Sequence, residues 1–126
     1  MDINSIKLSI RDDDFHEPIT KLICIENTHN ACGGKVLPMS FLRELRSLAD
    51  SHSLPVHLDG ARIWNSIAAM NVKPSDLSVH VDSLSVCLSK GLGAPVGSLL
   101  VGSIQIPFNT NTNYNTNTNT NTNTNV

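Results

Sequence analysis

Apolar and polar positions along the chain follow two different periodicities. Short runs rich in aliphatic and β-branched residues predict four strands, at 21–26, 55–58, 82–88 and 98–102. Asp59 and Gly60 are expected to end the second strand in a turn. The last two strands are joined by a stretch rich in Gly and Pro, which predicts a tight turn between them.

Helical spacing separates these runs. From Phe41 onward, apolar residues recur every three or four positions, which predicts an amphipathic helix that Ser40 caps and that ends near Ser51. A second helix is predicted at 61–70, and a short helix or turn at 74–80. This alternation is typical of an α/β fold with a mostly parallel sheet, because a helical crossover returns the chain to a parallel neighbour.

The two ends of the chain show neither periodicity. Residues 1–20 are polar and mixed, and the acidic run at 12–14 indicates a solvated cluster; nothing nearby completes an oxygen cage for a hard cation. Residues 109–126 contain nine Asn and seven Thr and are expected to be disordered, because they offer almost no apolar surface to offset the entropy of ordering. We therefore predict one domain at 1–108 and a low-complexity tail at 109–126.

Composition and charge exclude several classes of partner. The chain has 126 residues and a formal charge of −2, from 9 basic and 11 acidic side chains, so no broad basic face for nucleic acid is expected. Its apolar runs are far shorter than the roughly 18 residues that cross a bilayer, and no membrane association is predicted. Three cysteines without a CxxC spacing favour a reduced, cytosolic setting.

The first candidate for chemistry is a carboxylate at the end of the second predicted strand, in the segment HLDGAR at 57–62. In α/β sheets, ligands bind in the crevice outside the carboxyl ends of the strands, and Gly60 leaves the backbone open to a close approach. Arg62 can offer a bidentate guanidinium to a carboxylate or a phosphate. The alternative is structural: Asp59 would cap the helix that begins near Arg62.

The second candidate is Lys90, which follows the third predicted strand in the turn SKGLGAP at 89–95. A lysine held against the end of a buried strand is partly desolvated, which disfavours its charged form and makes the amine a nucleophile able to form a Schiff base. The alternative is an ordinary exposed lysine in a turn. The turn is not a P-loop, because the order GxxxxGK[ST] is absent.

Together, the two candidates fit one cofactor. Pyridoxal phosphate needs an amine to hold its aldehyde and a carboxylate to keep its pyridine nitrogen protonated. A strand-end Asp followed about thirty residues later by a strand-end Lys provides both groups.

Three longer motifs carry a resemblance to a known family: ENTHN at 26–30, HLDGAR at 57–62 and CLSKGLGAPVGS at 87–98. With these motifs, the chain from about Ser9 to Gly102 closely resembles the low-specificity L-threonine aldolases, a group of beta-eliminating lyases. The resemblance implies a partial large domain of the pyridoxal-phosphate transferase fold (fold type I, the aspartate-aminotransferase type). It also implies a homo-oligomer, a dimer or a tetramer, that cleaves L-threonine and L-allo-threonine to glycine and acetaldehyde.

The resemblance also implies residue roles. Lys90 would be the Schiff-base lysine, Asp59 would pair with the pyridine nitrogen, and Arg62 would contact the substrate carboxylate. His16 falls where the family carries a histidine near the substrate hydroxyl and would act as a base on that hydroxyl. The position after it differs, because this chain has Glu17 where the family has an aromatic or apolar residue. No metal is implied.

The resemblance further implies that several family elements lie outside this chain, among them a phosphate-binding loop, a ring-stacking histidine and a second arginine for the substrate carboxylate. The chain is therefore expected to be a truncated fragment of a lyase. The alternative is a non-catalytic remnant, at most an interaction or dimerisation fragment. A cofactor chromophore at Lys90 would separate the two hypotheses.

Overall fold

The computed structural model describes residues 2–103, which form a sheet and its connecting helices. The helices are α1 (Ile3–Ser9), α2 (Met39–Ser51), α3 (Ile63–Met70) and α4 (Pro74–Ser78), with a 3₁₀ turn at Asn30–Cys32. The strands are β1 (Ile23–Glu26), β2 (Val56–Gly60), β3 (Ser83–Cys87) and β4 (Ser98–Gly102). The tail predicted at 109–126 and the predicted domain boundary at 108 lie outside the described residues.

The sheet is parallel across its first three strands. β1 pairs with β2 and β2 pairs with β3 in parallel, while β4 returns antiparallel beside β3. The helix α2 connects the first parallel pair, and α3 and α4 connect the second, as a crossover between parallel neighbours requires. The predicted α/β class with a mostly parallel sheet is confirmed. None of the helices between residues 2 and 103 is both long enough and apolar enough to cross a membrane.

One face of the sheet carries the apolar core. Side chains alternate between the two faces of a strand, and the register sets Ile23 beside Val56 and Ile25 beside Leu58 on the core face. The helices contribute buried side chains to the same cluster: Leu42, Leu45, Ala49, Ile63 and Leu77. Because each fully buried Leu or Ile stabilises the fold by about 1.5–3 kcal/mol, this cluster determines which face of each strand points inward.

The opposite face of the sheet is polar. It carries the alternate residues of the three parallel strands: Cys24, Glu26, His57, Asp59, Ser83, Ser85 and Cys87. Within the described chain, none of these side chains is fully buried. Since parallel strands that are covered on both faces are apolar throughout, the alternation of β2 and β3 marks this face as a polar surface. We refer to these seven residues as the polar face.

The helix α1 forms where the sequence predicts no element. Asp2 caps it by accepting a hydrogen bond from the N–H of Ser5 at 3.0 Å, and Ile3 and Ile6 pack against the core cluster. A helix of seven residues carries few apolar positions, and the exposed Leu8 on its outer side obscures the amphipathic pattern.

Two element boundaries also differ from the prediction. Gly60 does not begin a turn; it continues β2, because the parallel pairing with β3 extends to Gly60 opposite Val86. Ser40 does not cap α2: the helix already begins at Met39, after Pro38, and no side chain caps it. The prediction of α2 itself is confirmed to its last residue, Ser51.

Arg46 ties the end of α2 to the amino ends of β2 and β3. Its guanidinium donates to the Asp82 carboxylate at 2.7 Å and to the carbonyl oxygen of Leu54 at 3.2 Å, and it pairs with Asp50 at 2.7 Å. Asp82 in turn accepts the N–H of Val56 at 2.7 Å. Burial opposes the charge of Arg46, but the hydrogen bonds that its guanidinium donates to Asp82 and Asp50 outweigh this effect and raise its pKa.

Replacing this arginine is expected to destabilise the fold. Arg46→Met leaves Asp82 without its charged partner and should lower the free energy of unfolding by about 2 kcal/mol, the usual size of a hydrogen bond to a charged group. The measurement is urea unfolding followed by circular dichroism. Arg43→Met is the matched control, because Arg43 is exposed on the same helix. Equal losses in the two variants would contradict the role of Arg46.

Stability should also depend on the protonation of His80. Burial lowers the pKa of His80 below its ordinary value of 6.5, and the charges of Arg43 and Arg46 lower it further. The unfolded chain therefore takes up this proton at a higher pH than the folded chain does, so stability falls as the pH drops below about 6.5. His80→Gln should lose less thermal stability than the wild type between pH 7.5 and 5.5. A variant of the exposed His52 should lose as much stability as the wild type does.

Candidate active site

Two neighbouring parallel strands bring the candidate residues to one edge of the sheet. Asp59 is the penultimate residue of β2 and lies opposite Ser85 of β3, while Lys90 follows the last residue of β3 by three positions. Because parallel strands end at the same edge, the polypeptide segments that carry Asp59 and Lys90 leave the sheet side by side. Adjacency in the sheet thus joins two motifs that are far apart in sequence.

The carboxylate of Asp59 is held through one of its two oxygens. Oδ1 accepts the N–H of Ala61 at 2.9 Å and the hydroxyl of Ser85 at 3.4 Å. Between residues 2 and 103, no hydrogen bond reaches Oδ2 and no cation pairs with this exposed side chain. The capping alternative is wrong: the residue before α3 is Arg62, and no side chain caps that helix.

Gly60 allows β3 to approach β2 directly after Asp59. A Cβ atom at this position would lie 2.5 Å from the side chain of Leu84 and 2.7 Å from the carbonyl oxygen of Ser85. Both distances are too short for any residue with a side chain. Glycine at this position therefore permits the close strand packing that brings Ser85 to the Asp59 carboxylate.

The turn that carries Lys90 is closed by its own backbone and packs on α3. The N–H of Gly93 donates to the carbonyl of Lys90 at 2.9 Å, and the N–H of Leu88 donates to the carbonyl of Gly97 at 2.9 Å. A Cβ at Gly91 would lie 2.8 Å from Oδ1 of Asn65 and 3.2 Å from Cβ of Trp64. Lys90 itself is exposed, so the desolvation predicted for a strand-end lysine is absent among the described residues.

Arg62 lies in the turn between β2 and α3, three residues after Asp59. Its side chain is half-buried, and within the described part of the chain it forms no ion pair with a carboxylate. A guanidinium without an internal partner can bind an external carboxylate or phosphate through a bidentate contact. The ligand-binding role of Arg62 stays a prediction.

His16 lies apart from these contacts, in an exposed loop before β1. Its N–H donates to the Asp14 carboxylate at 2.7 Å, and its ring meets Phe15 edge-on, with the ring centroids 5.3 Å apart. An ion pair of 3.5 Å between Arg11 and Glu17 holds the two sides of the loop together. The contacts of His16 are thus local, and none joins it to Asp59 or to the turn that carries Lys90.

A family model described as beta-eliminating lyase matches residues 1–114. The chain belongs to the beta-eliminating lyase family. It is 48% identical over 105 residues to an Arabidopsis thaliana protein named probable low-specificity L-threonine aldolase 2, covering 82% of this chain and 30% of that protein. It is 45% identical over 101 residues to the low specificity L-threonine aldolase of Escherichia coli K12, covering 80% of this chain and 29% of the enzyme.

Comparison with solved structures leads to the same group of proteins. The chain is similar to a candidate L-allo-threonine aldolase from Listeria monocytogenes, with a TM-score of 0.69 and 27% identity, over 81% of this chain and 26% of that one. The chain therefore spans less than a third of the length of these relatives. The predicted resemblance to threonine aldolases is confirmed, and by family the chain groups with enzymes.

The chain has polar residues beside Asp59 that the sequence does not single out for chemistry. Glu26 ends β1 directly opposite Asp59, and its carboxylate accepts the N–H of Asn30 at 3.0 Å and lies 3.5 Å from Nε2 of His29. A cavity of about 280 Å³ opens beside Glu26 and His29. The sequence did contain a signal for Glu26. It is the last residue of β1, much as Asp59 is the penultimate residue of β2.

Cys87 is the last residue of β3 and also lies beside the candidate site. It is half-buried on the polar face, and its Sγ lies 3.2 Å from Oγ of Ser89. Hydrogen bonds with Ser89, and the nearby charge of Lys90, lower the pKa of the Cys87 thiol. Among the described residues, no group of three His, Cys, Asp or Glu side chains is arranged to hold a metal ion.

The contact between the Lys90 turn and α3 can be tested with Gly91→Ala. The added methyl group would collide with Asn65 and Trp64, so the turn must shift. Trp64 is the single tryptophan of the chain, and its fluorescence emission should therefore change in this variant. Leu92→Ala, which trims an exposed side chain in the same turn, should leave the emission unchanged. Unaltered emission in Gly91→Ala would show that the turn does not pack on α3.

Proposed function

We propose that this chain carries the amine and carboxylate of a pyridoxal-5'-phosphate-dependent lyase that cleaves the Cα–Cβ bond of L-threonine or L-allo-threonine, giving glycine and acetaldehyde. Family membership supports the reaction class, and two relatives are named as low-specificity L-threonine aldolases. The observation that carries the proposal is the position of Asp59 and of the Lys90 turn at one edge of two adjacent parallel strands.

The residues at this edge fit the cofactor. Oδ2 of Asp59 has no hydrogen bond from residues 2–103, so it can accept one from a protonated ring nitrogen. Lys90 is exposed and is not paired with a carboxylate in that range, so its amine can reach an aldehyde. When bound, pyridoxal phosphate supplies an electron sink that accepts the charge left on Cα.

Each of the three residues at this edge has a separate task in the proposal. Lys90 would hold the cofactor through its aldehyde, with loss of one water molecule, and would take the cofactor back when the product leaves. Asp59 keeps a proton on the ring nitrogen. The protonated ring is needed most when negative charge develops on Cα, so the effect of Asp59 falls on turnover more than on binding. Arg62 orients the substrate by holding its carboxylate through the guanidinium.

His16 is proposed as the base that removes the proton from the substrate hydroxyl, directly or through a water molecule. Its exposure supports access to a ligand, and so does its position in a loop whose hydrogen bonds and ion pair, within residues 2–103, are local. The proposal also includes a homo-oligomer, a dimer or a tetramer, and a reduced, cytosolic setting, which the cysteine spacing favours.

The test is cofactor absorbance of the purified 126-residue chain. A cofactor held covalently at Lys90 should give a band near ~420 nm, and Lys90→Ala should abolish it. Lys21→Ala is the control, because Lys21 is exposed just before β1. A wild-type chain that stays colourless with excess cofactor and yields no glycine from threonine would overturn the proposal and favour a non-catalytic interaction fragment.

Asp59→Asn separates binding from turnover in the same assay. The amide keeps the shape of the side chain but cannot hold the proton on the ring nitrogen. Cofactor binding should therefore change little, while glycine formation should fall by at least about tenfold, which corresponds to ~1.4 kcal/mol at the transition state. Unchanged turnover would show that a group other than Asp59 keeps the ring nitrogen protonated.

A further inference from the structure

Among the described residues, one side chain donates a hydrogen bond to the carboxylate of Asp59. Ser85 is the direct partner of Asp59 in the parallel pairing of β2 with β3, so both side chains point to the polar face. The Ser85 hydroxyl donates to Oδ1 of Asp59 at 3.4 Å, and the N–H of Ala61 donates to the same oxygen at 2.9 Å. Both donors therefore act on Oδ1 and leave Oδ2 open.

The neighbour on the other side of Asp59 makes no such contact. Glu26 is the partner of Asp59 on β1, but its carboxylate turns to Asn30 and His29 in the following loop. The spacing on the β3 side is set by Gly60, whose missing side chain allows the carbonyl of Ser85 to come close. Ser85 is therefore the strand neighbour that can orient the carboxylate.

We propose that Ser85 is a positioning residue for Asp59. Its hydroxyl and the N–H of Ala61 fix Oδ1, so that Oδ2 is presented to the protonated ring nitrogen of pyridoxal phosphate. The inference rests on the proposed function. Loss of the hydroxyl leaves Asp59 attached by one donor, and its carboxylate then rotates more freely about the Cα–Cβ bond.

The chain offers a matched control on the same strand. Ser83 lies two residues before Ser85 on the polar face, but its hydroxyl bonds to Nδ1 of His57 at 2.8 Å. Ser83→Ala therefore removes an equivalent hydroxyl without touching Asp59. Ser85→Thr retains a hydroxyl and suits a strand, so it should rescue what Ser85→Ala loses.

Two measurements on the 126-residue chain test the inference. Without cofactor, side-chain NMR couplings should show one Asp59 rotamer in the wild type, Ser83→Ala and Ser85→Thr, and an average of rotamers in Ser85→Ala. With pyridoxal phosphate labelled with ¹⁵N in the ring, the ¹⁵N shift should show a protonated nitrogen in the first three. In Ser85→Ala the ¹⁵N shift should move toward the neutral value, because the freed carboxylate no longer holds the proton on the ring nitrogen in every molecule.

The outcomes distinguish the inference from the proposed function. If Asp59→Asn changes the ¹⁵N shift but Ser85→Ala changes neither the shift nor the rotamer, the role of Ser85 is overturned and the proposed function stands. If Asp59→Asn leaves the shift unchanged, or if the wild type binds no cofactor, the proposed function fails and the inference falls with it. Equal effects of Ser83→Ala and Ser85→Ala would indicate a general loss of strand packing and would also overturn the inference.

Discussion

The alternation of side chains along β2 is the constraint on which the rest of the structure depends. Val56 and Leu58 point into the core, and His57 and Asp59 point to the polar face. A shift of one residue in the pairing would bury Asp59 and expose both aliphatic side chains, so burial of the core selects a single register. The same selection sets Asp59 opposite Ser85 and Glu26. The hydrophobic effect on one face thus determines the chemistry on the other.

The two edges of the sheet serve different purposes. At the amino edge, Arg46 and Asp82 join α2 to the beginnings of β2 and β3 through short charged hydrogen bonds. At the carboxyl edge, Asp59 retains an oxygen without a hydrogen bond from residues 2–103, and Lys90 is exposed. Polar groups that stabilise the fold are therefore paired with other residues of the chain. The groups that are proposed to bind the cofactor can still accept or donate a hydrogen bond. This difference follows from chemistry, since a fully satisfied group has nothing to offer a ligand.

Glycine positions govern how closely the elements at the carboxyl edge approach each other. Gly60 lets β3 reach the Asp59 carboxylate, and Gly91 lets the Lys90 turn rest on Trp64 and Asn65. Neither has a left-handed backbone, so the requirement at both is space. In the sequence, these glycines resemble ordinary turn residues. Their purpose becomes evident only when the neighbouring strand and helix are present.

The sequence by itself determined the strands, the main helix α2 and the two motifs that contain Asp59 and Lys90, because apolar periodicity and residue chemistry are local properties. It also led to the family, through motifs that a family model matches independently. It did not reveal α1, the continuation of β2 through Gly60, or the partners of Asp59. Those features were decided by the tertiary structure, because strand pairing joins Ser85 to a carboxylate 26 residues away. Contacts across such a distance depend on register and packing, which no local pattern contains.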